Sequence, residues 1–464
     1  KIIGRAGVGV DNVDVPAATQ RGVLVVNSPE GNTIAAAEHA LAMMLTLSRH
    51  IPQAHGGMRA GKWDRKKYVG NELYKKTLGV VGLGKIGSHV ARVAQAMGME
   101  VIAYDPFIAA DRAQRMQVKL LELDELFRTA DYVTLHIPRT KDTENLVNAE
   151  LLRTMKPTAR IVNCARGGVV DEAAIAEAIN NGVIAGAGLD VYASEPLAED
   201  SPLRAVERGL VLTPHLGAST EEAQENVAID VAEQIRDVLL GLPARSAVNI
   251  PGLSAEIMER LKPHLQLAET VGLLVSQLAG GHVKEMELRL QGEFASHPSQ
   301  PLVIAALKGL LSAGLGDSIN FVNASLEAKA RGIQVLEVKD ESSRDFAGGS
   351  LQITTRGDQG SRSVTGAVFA DGDLRITSID AFPVNVTPSS HMLFTRHRDM
   401  PGIIGHLGSL LGEHNVNIAS MQVGRKIVRG DAVMVLSIDD PIPADLLQTI
   451  TAIDGIQEAH PVTL

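Results

Sequence analysis

The sequence predicts an α/β protein built on a doubly wound parallel sheet, followed by an α+β segment and a ferredoxin-like βαββαβ module. Three observations predict it. Between about Leu78 and His215, short apolar runs alternate with helical patterns, as βαβ units require. Between Leu351 and Ile379, alternating runs are separated by Arg-Gly-Asp-Gln-Gly and Ala-Asp-Gly-Asp, which read as antiparallel hairpins. From residue 389 on, strand and helix patterns follow in the order βαββαβ.

The parallel strands are expected at Thr77–Val81, Glu100–Tyr104, Tyr132–His136, Arg160–Asn163, Ile184–Leu189 and Leu210–Thr213, each closed by polar, Gly or Pro residues. Ala35–His50 and Thr220–Leu240 carry apolar residues at helical spacing and are candidate domain crossovers. Gly241-Leu-Pro-Ala-Arg through Ile250-Pro-Gly reads as a linker. Helices at 255–280 and 301–313, then strands, follow it. The last module reads as strand Met392–Thr395, helix Gly402–His414, strands Val416–Val423 and Ala432–Ile438, helix Ala444–Ile453 and a final strand. The expected domains are 1–30 with 218–245, then 31–217, 250–385 and 389–464.

At 464 residues the chain exceeds what one core usually serves, so three or four domains are expected. Hydrophobic residues at 45% and charged residues at 21% are a globular balance. A formal charge of -10 gives no basic field for nucleic acid or an acidic membrane, so any anionic ligand must be caught locally. Cys164 is the single cysteine; no intramolecular disulfide can form, which suits a reducing, cytoplasmic setting. The apolar stretches Ile34–Leu47 and Thr270–Ala279 are interrupted or short of a bilayer span. Lys1 is neither a start methionine nor part of a signal peptide, and the chain opens into what reads as a buried strand. An upstream part is therefore expected to be missing, with weak or absent turnover as its consequence.

Gly82-Leu-Gly84-Lys-Ile-Gly87 follows an apolar strand and precedes a helical run. Alone, the pattern is a glycine-rich turn. In that setting it is a dinucleotide motif: the first glycine permits the turn, the second admits a pyrophosphate and the third lets helix and strand pack. Asp105 ends the next strand, where a carboxylate accepts hydrogen bonds from the adenosine ribose and repels a 2′-phosphate. This favours NAD over NADP. An Asp before Pro106 that merely starts a turn is the other reading.

Arg166, Glu195 and His215 each follow a strand of this sheet, within Cys-Ala-Arg-Gly-Gly, Ala-Ser-Glu-Pro and Thr-Pro-His-Leu-Gly-Ala-Ser. Loops after the strand ends form the ligand crevice of an open parallel sheet, so the three can converge there. Interconverting a 2-hydroxy and a 2-oxo acid needs an acid–base group near neutral pH and a cation to hold the anion. His215 suits the first task, Glu195 would hold its other ring nitrogen, and Arg166 would clamp the carboxylate with its planar fork. Taken singly, a His after a strand or a Glu-Pro pair is commonly structural. The joint pattern carries the reading.

Together, the glycine motif, Asn163-Cys-Ala-Arg-Gly-Gly-Val-Val-Asp-Glu, Leu189-Asp-Val-Tyr-Ala-Ser-Glu-Pro and Pro214-His-Leu-Gly-Ala-Ser-Thr resemble the D-isomer-specific 2-hydroxyacid dehydrogenases. Gly4-Arg-Ala-Gly-Val-Gly-Val-Asp-Asn-Val-Asp looks like the substrate loop of that family's phosphoglycerate dehydrogenase branch, and the likeness covers nearly the whole chain. The resemblance implies an NAD-binding domain inserted in a partial flavodoxin-like substrate domain, then an intervening domain and an ACT domain. It implies Arg166, Glu195 and His215 as the catalytic trio. It also implies cofactor contacts at Val8, Gly82, Gly84, Lys85, Ile86, Gly87, Asp105, Ile137, Cys164, Ala165, Arg166, Asp190, His215, Gly217 and Ala218.

The Gly7-Val8-Gly9 turn offers successive amides for a carboxylate beside Arg5, with a purely structural turn as the alternative. Lys62, Arg65, Lys66 and Lys67 around Trp63 could reach a substrate phosphate, Arg65 first among them, or simply be a solvated charge run. His397-Arg-Asp-Met-Pro-Gly-Ile and Val416-Asn-Ile-Ala-Ser resemble an ACT module. There Asp399 would take the ammonium of an amino-acid effector and Asn417 a further hydrogen bond, with L-serine as the family's effector. A purely dimerising module is the alternative. The small-molecule partner implied is a phosphorylated 2-hydroxy acid; no metal is implied, and a homodimer or homotetramer is expected. The rival readings are a hydroxypyruvate or glyoxylate reductase and a non-catalytic dinucleotide sensor.

Overall fold

A computed structural model of the chain describes residues 1–251, 255–341, 349–369 and 372–464. Gly252 of the linker and the first half of Ala370-Asp371-Gly372-Asp373 lie outside the described residues. The chain forms two compact units, one of Arg5–Val10 with Asn27–Glu233, the other of Lys1–Gly4, Asp11–Val26 and Gln234–Leu464. Ile2–Arg5 (β1) and Leu24–Asn27 (β2) pair as a two-stranded sheet. The opening strand forms as read but is not buried: Ile3 is 39% exposed, because a sheet of two strands leaves a face open.

The first unit holds seven parallel strands: Thr77–Val81 (β3), Glu100–Tyr104 (β4), Lys119–Leu120 (β5), Tyr132–Leu135 (β6), Arg160–Asn163 (β7), Gly186–Leu189 (β8) and Leu210–Leu212 (β9). Their order is β5-β4-β3-β6-β7-β8-β9. The chain winds outward from β3 through β4 to β5, then returns to the other side of β3 at β6, so the crevice beyond β3 and β6 is the topological switch point. β6, β7 and β8 are buried along their whole length, as strands covered on both faces must be, which is why they read as unbroken apolar runs. Helix Thr33–Arg49 buries its alanine, leucine and methionine face, and Met43 and Leu47 fill the space left by Gly188.

The second unit holds two sheets. One has the order β11-β10-β12-β13-β14-β15, with strands Val283–Gln291 (β10), Gln334–Asp340 (β11), Ser350–Gly357 (β12), Gly360–Val368 (β13), Leu374–Ile379 (β14) and Phe382–Val386 (β15). Helices Ala255–Ala279 and Ser299–Leu315 match the expected segments. β10 lies between them rather than after them, and pairs in parallel with β11.

The other sheet is the βαββαβ module: His391–Arg398 (β16), Ile418–Arg425 (β17), Asp431–Ile438 (β18) and Ile456–Thr463 (β19), in the order β17-β18-β16-β19. Strand alternation splits its side chains between two cores. Leu393, Met434, Leu436 and Ile438 meet helices Ile403–Glu413 and Ala444–Thr451. Met392, Phe394, Val433, Val435 and Val462 instead join the core built by the preceding sheet and helices. Arg362 of β13 sits across this junction between Asp380, at 2.7 Å, and Glu458 of β19, whose two carboxylate oxygens it holds with both guanidinium nitrogens.

Candidate active site

β3 ends at Val81 and helix Lys85–Ala96 starts after Gly84. Gly82 has φ 94°, and a Cβ there would lie 2.6 Å from the His136 carbonyl oxygen and 2.9 Å from Cγ2 of Ile137. A Cβ on Gly87 would overlap the Gly82 carbonyl oxygen, so helix and strand close up only around a glycine. A Cβ on Gly84 would meet nothing within 4 Å. The turn is thus filled behind and open in front, where the first amides of the helix emerge, and it fits a pyrophosphate. Asp105 is tied to this turn: it accepts from the Leu83 amide at 2.8 Å and the Phe107 amide at 2.9 Å. Lys85 turns outward into an ion pair with Glu30, while Ile86 packs against the sheet core. Burial pushes the imidazole of His136 down to about 4, so it stays neutral under the turn.

The three loops beyond β7, β8 and β9 meet. Asn163 shapes the first, accepting from the Ala165 amide and donating to the Arg166 carbonyl, each at 3.0 Å, and Arg166 donates to the Ala165 carbonyl at 2.7 Å. A Cβ on Gly167 would overlap the Tyr192 carbonyl, which brings the arginine turn against the loop that carries Glu195. Glu195 accepts from the Tyr192 amide at 3.1 Å through Oε1, and its Oε2 lies 2.7 Å from Nδ1 of His215. The His215 side chain is half-exposed at the crevice. His215 has φ 57°, an uncommon backbone for a side-chain-bearing residue, imposed where its loop turns at the crevice.

Asp190 holds that turn. Its carboxylate is fully buried and accepts from the Thr213 hydroxyl at 2.6 Å, the Leu216 amide at 2.7 Å and the Gly217 amide at 2.8 Å, with His39 Nε2 at 3.2 Å. Burial opposes the charge, but these donors outweigh it and keep the carboxyl below its usual range. Ala218 follows directly in the same turn. Tyr192 adds a second brace, donating to the carbonyls of Leu189 at 3.0 Å and Thr213 at 2.8 Å. Burial, then the Asp190 charge, pushes its hydroxyl up to about 12, so it remains a donor. Burial and Asp190 also raise the Cys164 thiol, which keeps it protonated and unsuited to act as a nucleophile. His39, Cys164 and Asp190 bring ligand-type atoms within 4.8 Å of one another. With its donors already in place, Asp190 reads as the centre of a hydrogen-bond network.

Arg5, Gly7, Val8 and Gly9 belong to the same unit as these loops. The Gly7 carbonyl accepts from the Ser28 amide at 3.0 Å and the Val8 carbonyl from Asn27 Nδ2 at 2.7 Å. Arg5 folds its guanidinium over Gly7 and donates to the Ala6 carbonyl, while its Nε is buried without a hydrogen-bond partner among the described residues. Arg65, in the short helical turn Arg65–Tyr68, is exposed, as is Trp63, and among the described residues no hydrogen bond or ion pair ties either to the crevice.

Several groups escaped the sequence reading. Ser28 Oγ, Asn32 Oδ1 and Thr33 Oγ1 are buried without partners among the described residues, at the start of helix Thr33–Arg49. Asn32 stands at the N-cap yet makes no capping bond. The signal was the Asn-Thr pair ahead of an apolar helix, an ordinary capping pattern that conceals any other use. His39, Glu172 and Tyr192 were likewise invisible, because their roles depend on bonds between loops distant in sequence.

Asp399 and Asn417 are not brought together within one chain. Asp399 accepts from Arg425 at 2.8 Å and the Arg429 amide at 3.1 Å, ahead of β18, whereas Asn417 donates to Asp439 at 2.7 Å, just past its far end. Arg425 and then the Arg429 amide hold the Asp399 carboxyl below its ordinary range.

The fold, the glycine turn and the paired imidazole and carboxylate define an NAD-dependent oxidoreductase of the doubly wound α/β class. The family model for the D-isomer specific 2-hydroxyacid dehydrogenase NAD binding domain matches residues 41–217. Those for the D-3-phosphoglycerate dehydrogenase intervening domain and the ACT domain match 260–380 and 391–455. A D-3-phosphoglycerate dehydrogenase of Synechocystis sp. is 64% identical over 100% of this chain and 83% of its own length. Its counterpart in Archaeoglobus fulgidus is 44% identical over 100% and 88%. Among solved structures, TT0316 from Thermus thermophilus is 37% identical with a TM-score of 0.50, over 53% of this chain and 78% of that one. The D-lactate dehydrogenase of Aquifex aeolicus, solved with NAD and lactic acid, is 30% identical with a TM-score of 0.50, over 54% and 81%. The chain belongs to the D-3-phosphoglycerate dehydrogenase family. No described helix is long and apolar enough to cross a membrane.

Proposed function

We propose that this chain oxidises D-3-phosphoglycerate to 3-phosphohydroxypyruvate, the first step of L-serine biosynthesis, in the cytoplasm, and that L-serine feeds back on it through the ACT module. The observation that carries the reading is the 2.7 Å pair of His215 Nδ1 and Glu195 beside the Arg166 turn. The chemistry that bound NAD would supply at this turn is a hydride acceptor for C2 of the hydroxy acid. Nε2 of His215 accepts the proton of the C2 hydroxyl, and Glu195 fixes the tautomer and stabilises the resulting imidazolium. Arg166 clamps the substrate carboxylate with its planar fork.

Gly82, Gly84 and Gly87 admit the pyrophosphate to the helix start, and Asp105 keeps lone pairs for the ribose hydroxyls. Val8, Ile137, Cys164, Ala165, Asp190, Gly217 and Ala218 line or hold the cofactor crevice, with Lys85 and Ile86 at its rim. Gly7, Val8 and Gly9 receive the substrate's anionic end beside the half-buried Arg5, whose Nε, buried without a partner among the described residues, supports the assignment. The unpartnered Ser28, Asn32 and Thr33 add polar anchors at a helix N-terminus. Arg65 meets the substrate phosphate of a neighbouring subunit.

We read residues 1–30 with 218–245 as the substrate-binding part, 31–217 as the dinucleotide domain, 250–385 as an intervening assembly domain and 389–464 as the ACT module. Because Asp399 and Asn417 flank opposite ends of β18, an effector that uses both takes one from each of two copies, in a homodimer or homotetramer. The test is NAD reduction by D-3-phosphoglycerate with the intact chain, repeated with rising L-serine. No absorbance change with this substrate refutes the activity, and a serine-independent rate refutes the regulation.

A further inference from the structure

The loop that carries Glu195 is pinned at three successive backbone groups. The Tyr192 amide donates to Glu195 itself, the Tyr192 carbonyl abuts Gly167, and the Ala193 amide donates to Glu172 at 2.6 Å. Glu172 opens helix Glu172–Asn180, where an acidic residue ordinarily serves its own helix. That task is already filled: Asp171 accepts from the Ala173 and Ala174 amides, each at 3.0 Å. Glu172 instead crosses to a backbone group 21 residues away, two residues before Glu195.

We propose that Glu172 is a positioning residue: by holding the Ala193 amide it sets the Glu195 carboxylate toward Nδ1 of His215. The inference rests on the catalytic reading of Glu195 and His215. Arg166, Gly167 and Glu172 lie on one loop and helix start, so the segment that orients the substrate carboxylate also orients the partner of the base. Releasing the Ala193 amide leaves residues 193–195 free to swing, and a displacement near 1 Å at the reacting groups costs up to about 100-fold in rate.

The test compares Glu172→Ala, Glu172→Asp and Glu172→Gln in NAD reduction across pH, with NAD binding titrated separately. Glu172→Ala is expected to lower kcat about tenfold, with KM for NAD unchanged and the acidic limb of the kcat/KM profile moved to lower pH. Glu172→Asp keeps the charge but falls short of the amide; it should shift the same limb, and stands in should the alanine variant not fold. Glu172→Gln keeps an acceptor of full length and should stay within about twofold of the parent rate. Parental rates and pH profiles in the alanine and aspartate variants overturn the proposal. So does a glutamine variant as slow as alanine, which would assign the effect to charge. A His215→Ala variant that keeps its turnover refutes the underlying reading, whereas an inactive one beside unimpaired Glu172 variants refutes this inference alone.

Discussion

The two units of the chain use their sequence differently. In the unit holding the parallel sheet, the strands are short and the proposed chemistry sits in the loops after them, where a residue type is dictated atom by atom: Gly87 because a carbonyl occupies its Cβ position, Asp190 because a hydroxyl and two amides point at it. In the other unit, antiparallel strands and two long helices share one apolar core, and single residues matter mainly through which side of a strand they face. Motif-rich loops make a site, while periodicity alone makes a body.

That contrast can be broken by substitution. The largest effect is expected from His215→Ala, with turnover down about 10²- to 10⁴-fold and NAD affinity kept, read by steady-state rates beside equilibrium binding. A variant that loses NAD binding as well would mean the loop is structural. Next is Arg362→Ala, which leaves Asp380 with only the Ser363 amide and Glu458 with only His460 at the junction of the two C-terminal sheets and should cost about 2 kcal/mol in denaturant unfolding. NAD affinity should not change; if it does, the units are energetically coupled.

Gly84→Val should weaken NAD binding about tenfold or more without shifting the unliganded melting temperature, since the site is open. Gly87→Ala should shift that temperature, since its neighbour is backbone. A melting shift at Gly84 would show the space to be filled.

The smallest effects concern pH. His136 has its pKa lowered to about 4 from 6.5, so the unfolded chain takes the proton first. Its contribution is full above 6.5 and is lost as pH falls toward 4. His460, then Arg362 against an opposing burial cost, hold Glu458 at about 2 from 4.5; its contribution is full above 4.5 and is lost on acidification through 2. His136→Gln and Glu458→Gln should therefore flatten the stability–pH curve in different windows, each by at most about 1.4 kcal/mol per pH unit. Coincident windows would sink the assignment.

Much of the nucleotide-binding fold was legible. Thr77–Val81, Glu100–Tyr104 and Arg160–Asn163 are strands as read, because parallel strands buried on both faces are continuous apolar runs. β5 was missed because two residues carry no period. β10 was missed although Met286, Leu288 and Leu290 alternate inward, since the apolar helices on either side dominate the local pattern. At the candidate site, the glycines and the residues proposed for acid–base work announce themselves by type. Glu172 and Tyr192 do not, because their hydrogen bonds join segments whose proximity only the folded chain creates.

The two cores that sandwich the βαββαβ sheet set the unit in which this region can be transplanted. Cut at residue 389, the module would carry Met392, Phe394, Val433, Val435 and Val462 into water as a bare apolar face. A chimaera that borrows its ACT module must therefore take the preceding sheet as well, so recombination in this family should exchange the pair as one cassette.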